Sequence, residues 1–176
     1  MTREEFESKC SALVGERVVH VFYYELKYEG LEQLWSEHQD FDSLDHGLDL
    51  VMESGSSFGI TWGDEFFQYG ISLHPQPLNG YVVNGASVQN VSASSRWSDY
   101  IGKSIVAVEL EWSWVTTSDR PNEKIHYPQD MKLTFEGKKE IVLSALEMRD
   151  GKALHLMDNI TVFFHKGVWE HYGKLA

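Results

Sequence analysis

A single cysteine, Cys10, stands among 176 residues. That excludes an internal disulfide, a CxxC redox pair and a zinc site built from several thiolates. No run approaches the roughly 20 apolar residues needed to span a bilayer, and the opening Met1-Thr2-Arg3-Glu4-Glu5 lacks the basic, then apolar, pattern of a secretory leader. The chain is therefore expected to be cytoplasmic. Its eight histidines never occur as HxH or HExxH, the spacings that put two imidazoles on one face, and no glycine-rich phosphate loop is present. No metal and no cofactor is expected. Aromatic mass, by contrast, is plentiful: six Trp, nine Phe and eight Tyr provide enough apolar area to offset chain entropy, which excludes disorder as the main state.

Positive charge is missing from a long stretch. Between Lys27 and Arg96 there is no Lys or Arg, while Glu29, Glu32, Glu37, Asp40, Asp42, Asp45, Asp49, Glu53, Asp64 and Glu65 all fall there. Residues 1–90 hold 15 acids and 4 bases, whereas residues 91–176 hold 12 and 11, so nearly all of the net charge of −12 belongs to the first half. Such a field attracts basic partners and repels polyanions. Direct binding to nucleic acid or to an anionic membrane is not expected.

The chain also repeats itself. Val14-Gly15-Glu16-Arg17-Val18-Val19-His20-Val21 aligns with Ile101-Gly102-Lys103-Ser104-Ile105-Val106-Ala107-Val108, and Leu48-Asp49-Leu50-Val51-Met52-Glu53 with Met131-Lys132-Leu133-Thr134-Phe135-Glu136. In each copy a turn leads to a short apolar run, residues 58–62 and 141–145, and a further β-like run closes the unit at 70–74 and 159–165. A short helix is expected ahead of each. Thr2 and Glu5 form a capping-box pattern before Phe6, Cys10 and Leu13, and Trp97, within 94–100, stands where the first copy has Cys10. The predicted fold is mainly β (α+β): two similar antiparallel four-strand meanders, each preceded by a short helix, packed as a sandwich or barrel. The domain reading is a single domain over 1–176, built from pseudo-repeats at about 1–74 and 94–166 and joined by the uncharged Gly/Asn/Ser-rich linker 75–93, which contains a candidate strand at Tyr81-Val82-Val83.

The copies diverge where function could reside. The second predicts Val106, Val108, Leu110 and Trp112 on one strand face and Glu109, Glu111 and Ser113 on the other. In the first, His20, Phe22, Tyr24 and Leu26 need a cover, and Leu31, Leu34, Trp35 and His38 have the helical spacing to supply it, predicting an inserted helix at 30–38. The second copy has instead a predicted loop, Thr116 to Tyr127, with a turn at Asp119-Arg120-Pro121-Asn122.

Motifs for chemistry mostly fail. Gly55-Ser56-Ser57-Phe58-Gly59 matches the G-x-S-x-G pattern but falls in a predicted hairpin rather than a strand-turn-helix. Asp40, Asp42 and Asp45 do not continue as an EF-hand, because Leu44 and Val51 occupy ligand positions. Glu109 and Glu111 could form a carboxylate pair, and His74 and His165 close corresponding strands, without any further motif around them. Gly167-Val168-Trp169 has the spacing of a lipocalin G-x-W but lies at the wrong end of the chain. No catalytic residues are assigned.

The charge distribution favours a non-enzymatic protein that occludes a basic protein partner. The expected contact residues are Glu29, Glu32, Glu37, Asp40, Asp42, Asp45, Asp64 and Glu65, with Phe66 and Phe67 as aromatic anchors in the acid-aromatic run 62–69. In size, acidity, β-rich character and lack of catalytic motifs the chain resembles the immunity proteins that neutralise bacterial toxins. That resemblance implies a toxin as the basic partner. The alternative is a small-molecule-binding barrel or sandwich, with His20 and Tyr24 lining a cavity between the meanders. A hydrolase with a site dispersed over strand ends ranks below both.

Overall fold

A computed structural model of the chain describes residues 1–27, 29–30, 36–38, 40–80 and 86–172. In chain order the elements are α1 (Arg3–Ser11), β1 (Val18–Glu25), β2 (Ser36–Glu37), β3 (Phe41–Leu44), β4 (Gly47–Met52), β5 (Ser57–Gly63), β6 (Gly70–His74), β7 (Ser87–Asn90), β8 (Ile105–Thr117), β9 (Arg120–Phe135), β10 (Glu140–Ser144), β11 (Leu146–Arg149), β12 (Lys152–His155), β13 (Ile160–Phe163) and α2 (Lys166–Tyr172). Short 3₁₀ turns lie at Leu78–Gly80 and Trp97–Asp99. α1 starts where the sequence placed it: the Glu5 amide donates to Thr2 Oγ1 at 3.2 Å and the Thr2 amide to Glu5 Oε2 at 2.7 Å, satisfying two end donors reciprocally.

The strands form two antiparallel sheets, ordered β6-β5-β4-β1-β7 and β2-β3-β13-β10-β9-β8, with β11-β12 as a separate hairpin. This is a sandwich of two sheets rather than a closed barrel. Alternation along each strand sends one set of side chains into the shared core, among them Val21, Leu50, Ile60, Leu73, Leu133, Ile141 and Val162. Phe6, Cys10 and Leu13 of the first copy, and Trp97 and Tyr100 of the second, join the same core. The outer face of the second sheet has its own cover, where Trp169 of α2 packs with Phe41, Val142, Leu146 and Phe163.

The two meanders match strand for strand. Val18 faces Met52 and Ile105 faces Phe135, each strand then carries an irregularity one residue later, and Phe22 faces Asp49 as Glu109 faces Lys132. The next strand repeats the match, Leu50 to Phe58 and Leu133 to Ile141. Equivalent backbones also exchange bonds: Gly15 N donates to Ile105 O at 2.8 Å and Gly102 N to Val18 O at 2.8 Å. Arg17 and Ser104, aligned residues, bridge each other, which marks a local pseudo-twofold axis. Gly15 (φ +91°) and Gly102 (φ +77°) sit in the left-handed region with open space around the missing side chain. Changing either to alanine is expected to cost about 1 kcal/mol through φ alone. Matched losses in urea melts would report equivalent turns; a large difference between the two would contradict the symmetry.

Several expectations are corrected. Ser36–Glu37 is a strand paired with β3, not part of a helix, and the rest of the predicted insertion, residues 31–35, lies outside the described residues, as does the candidate strand 81–83. The β2-β3 hairpin leaves the first meander and pairs with β13 of the second. The cover of the first sheet's outer face comes from the linker: Leu78 is fully buried against Gly59, where a Cβ would meet its side chain at 2.7 Å. The linker also contributes β7, paired with β1. Residues 116–127 are not a loop but the end of a long β8-β9 ribbon that turns between Thr117 and Arg120. The irregularity after Ile105 turns Val106 outward, 51% exposed, while Ile105 enters the core.

Candidate functional site

Folding sorts the acidic window into three groups. Some carboxylates are internal. Asp42 is 3% exposed, accepts the Tyr23 hydroxyl at 2.8 Å and has Arg96 Nη1 2.9 Å from its Oδ1. Asp49 is buried too, accepting the Tyr24 hydroxyl at 2.5 Å and the Leu78 amide at 2.9 Å. Others are neutralised at the surface, Glu53 by Arg17 at 3.4 Å and Glu65 by Lys9 at 3.5 Å. Asp40 stands 3.8 Å from His38. Glu29 is exposed, nothing is described of the Glu37 side chain in β2, and Glu32 lies outside the described residues.

Phe66 and Phe67 are half-buried. Phe66 meets Phe6 and Trp112 edge-on, with ring centroids at 5.5 and 4.9 Å, and Phe67 lies 6.0 Å from Tyr127. These rings fasten the 63–69 loop to α1 and the ribbon. The exposed chemistry of that loop is instead Asp64, set beside Trp62 and Tyr69.

A cleft of about 490 Å³ is lined by Trp62, Gly63, Asp64, Gln68, Tyr69 and Asp158. Trp62 ends the alternation of β5, and its indole N–H donates to Asp45 O at 2.9 Å, which fixes the ring. The Tyr69 ring lies 5.7 Å from it at 58°, on a residue held at φ +68°. Asp158 arrives from the connection between β12 and β13, and Asp64 from the β5-β6 loop. Both are exposed, and among the described residues neither has a basic partner. Asp45 and His46 lie behind the cleft. Burial lowers the His46 pKa despite the opposing fields of Asp45 and Asp158, so this imidazole is neutral near pH 7 and brings no positive charge to the carboxylates.

Two uncompensated carboxylates beside two aromatic faces suit a cation. A guanidinium or ammonium group gains charge-assisted hydrogen bonds from the acids and a quadrupole attraction from the rings. The sequence pointed to the 62–69 run but not to Asp158, which is distant in the chain and placed by the β13 return alone.

The other candidates disperse. His20 is exposed on the outer face of β1, while Tyr24 is buried under the linker and spent on Asp49, so neither lines a space between the sheets. Ser56 and Ser57 belong to the β4-β5 hairpin. Glu109 pairs with Lys132 at 2.7 Å. No group of three or more His, Cys, Asp or Glu residues is placed to hold a metal ion among the described residues. Burial pushes the Cys10 thiol up to about 12, leaving it a small core hydrophobe. No family model, no curated protein and no solved structure matches the chain.

Proposed function

We propose that the protein is a non-enzymatic binding protein that holds a basic protein partner, in the manner of an immunity protein neutralising a toxin. The observation that carries this reading is the cleft, where Asp64 and Asp158 face solvent without a basic partner among the described residues, next to Trp62 and Tyr69. In a chain whose first half is so acidic, that cleft is where a partner's arginine or lysine side chain is best received. The wider field accelerates encounter, and the fixed aromatic and carboxylate groups supply specificity. Half-buried Phe66 and salt-bridged Glu65 support the loop from behind.

The test is affinity capture from native lysate at low and high salt, with the wild-type chain beside an Asp64→Lys/Asp158→Lys variant. Both positions are exposed, so the variant is expected to fold. The expected result is a basic protein retained by wild type, released by salt and lost with the variant. Retention of the same proteins by both chains, or of no basic protein by wild type, would overturn the reading.

A further inference from the structure

The pseudo-twofold leaves one position filled in the first sheet and, among the described residues, empty in the second. β7 pairs with β1 so that Phe22, Tyr23, Tyr24 and Glu25 face Asn90, Gln89, Val88 and Ser87. Matching registers make Glu109, Leu110 and Glu111 the equivalents of the first three on β8, with Trp112 next along the strand where the β9 register shifts, yet among the described residues β8 is the last strand of its sheet. Burial follows the difference. Val21, Tyr23 and Glu25, inward-facing under β7, are at most 1% exposed, whereas Val108, Leu110 and Trp112 are only partly buried. Backbone direction agrees. Val21 O accepts the Val91 amide at 3.0 Å on the β7 side and Tyr24 O accepts the His46 amide at 3.2 Å on the β4 side. Odd positions of β1 therefore point toward β7, and by equivalence the amides of Val108, Leu110 and Trp112 point to the open edge.

We infer that the β8 edge at Glu109–Trp112 is a strand-addition site for an extended basic segment of the protein partner, completing the second sheet as β7 completes the first. This rests on the partner reading above. Charge selects the occupant. Glu109 and Glu111 project from the outer face; Glu109 is paired with Lys132 at 2.7 Å, Glu111 has no basic partner among the described residues, and Glu7 of α1, paired with Arg3 at 2.7 Å, closes one end, accepting the Trp112 indole N–H at 3.1 Å. By the β7 template, partner residues opposite Glu109 and Glu111 lie outward, the one opposite unpaired Glu111 being basic, and the one opposite Leu110 lies inward and is apolar. A second copy is a poor occupant. Antiparallel pairing centred on Leu110 would set Glu109 against Glu111 of the other chain and supply Glu111 with a carboxylate rather than a cation, a contact of the kind that protects strand edges.

Amide hydrogen exchange tests this without knowledge of the partner. In the free chain, the Leu110 and Trp112 amides are expected to exchange about a hundredfold or more faster than those of Tyr23 and Glu25. An alternating lysine-valine pentapeptide at millimolar concentration is then expected to slow both, and a glutamate-valine pentapeptide to leave them unchanged. Glu111→Lys, at an exposed position, is expected to weaken the lysine peptide about tenfold and favour the glutamate peptide, as cross-strand charge pairs dictate. Slow Leu110 exchange in the free monomer, equal effects of both peptides, lysine-peptide protection confined to the cleft, or a dimer that buries β8 would each overturn the site. The peptide result and lysate capture can fail separately. Capture of a basic protein without edge protection removes only this site, whereas protection without capture leaves the edge and removes the partner reading.

Discussion

Asp42→Ala is expected to cost about 3–5 kcal/mol of folding stability, the range for breaking a buried charge pair from one side. Asp42 terminates a chain of buried polar groups: Trp97 Nε1 donates to Tyr23 Oη at 2.7 Å, and Tyr23 Oη to Asp42 at 2.8 Å. Arg96 stands on the other side of the carboxylate, over the Phe164 ring at 5.5 Å, and also donates to His38 O. Removing the carboxylate takes the anion away from a largely buried guanidinium and one acceptor away from a buried hydroxyl. Asp42→Asn retains an acceptor for Tyr23 and is expected to lose less. Urea denaturation of both variants measures the difference; a loss below about 1 kcal/mol for Asp42→Ala, the range of a surface pair, would show that the network is not holding the sheets together. Reversing Asp40, Asp42 and Asp45 together to probe partner binding would therefore confuse unfolding with lost affinity.

Glu25→Gln is expected to stabilise the protein, increasingly so as pH rises. Glu25 is 1% exposed, and burial above all, followed by Asp45 and Asp42, pushes its pKa to about 9 against the amide of Asp45 that donates to it. The raised value means that the native state keeps a proton which the unfolded chain has released. Between the ordinary carboxylate range and pH 9 the wild type should thus lose about 1.4 kcal/mol of stability per pH unit from this group. Glutamine removes that slope while keeping an oxygen for the Asp45 amide. His46, His74 and His155, whose pKa values burial lowers, act in the opposite sense at mildly acidic pH but are common to both proteins. Urea melts at pH 5.5 and 7.5 should show the gap between variant and wild type widening by about 2–3 kcal/mol. A constant gap would mean that Glu25 is ionised in the native state.

The strand plan was legible because it follows local rules. Alternation and the paired turns at Gly15 and Gly102 placed the meanders, and Thr2 with Glu5 placed α1. The additions to the plan were not legible, since each depends on a distant surface. β3 reads only as part of the acid-rich window until β13 offers it an edge, and the predicted helix at 30–38 gives way at Ser36–Glu37 to a strand paired with β3. The outward turn of Val106 reflects a backbone irregularity that alternation cannot reveal. Charge misled at Asp42 for a related reason. Its guanidinium partner, Arg96, stands across the linker, so a residue in the acid-rich window became internal. At the candidate site, Asp64 and the aromatic run could be read from the chain, but the pairing with Asp158 required the fold.

The central claim is that Asp64 and Asp158 receive a cationic group of a basic partner. The most direct measurement is the association rate of the captured partner with wild type and with Asp64→Asn/Asp158→Asn across ionic strength. The account expects wild-type association to fall steeply with salt, and the variant to associate about tenfold more slowly at low salt with a shallower salt dependence. Superimposable rate-salt curves for the two chains would contradict it.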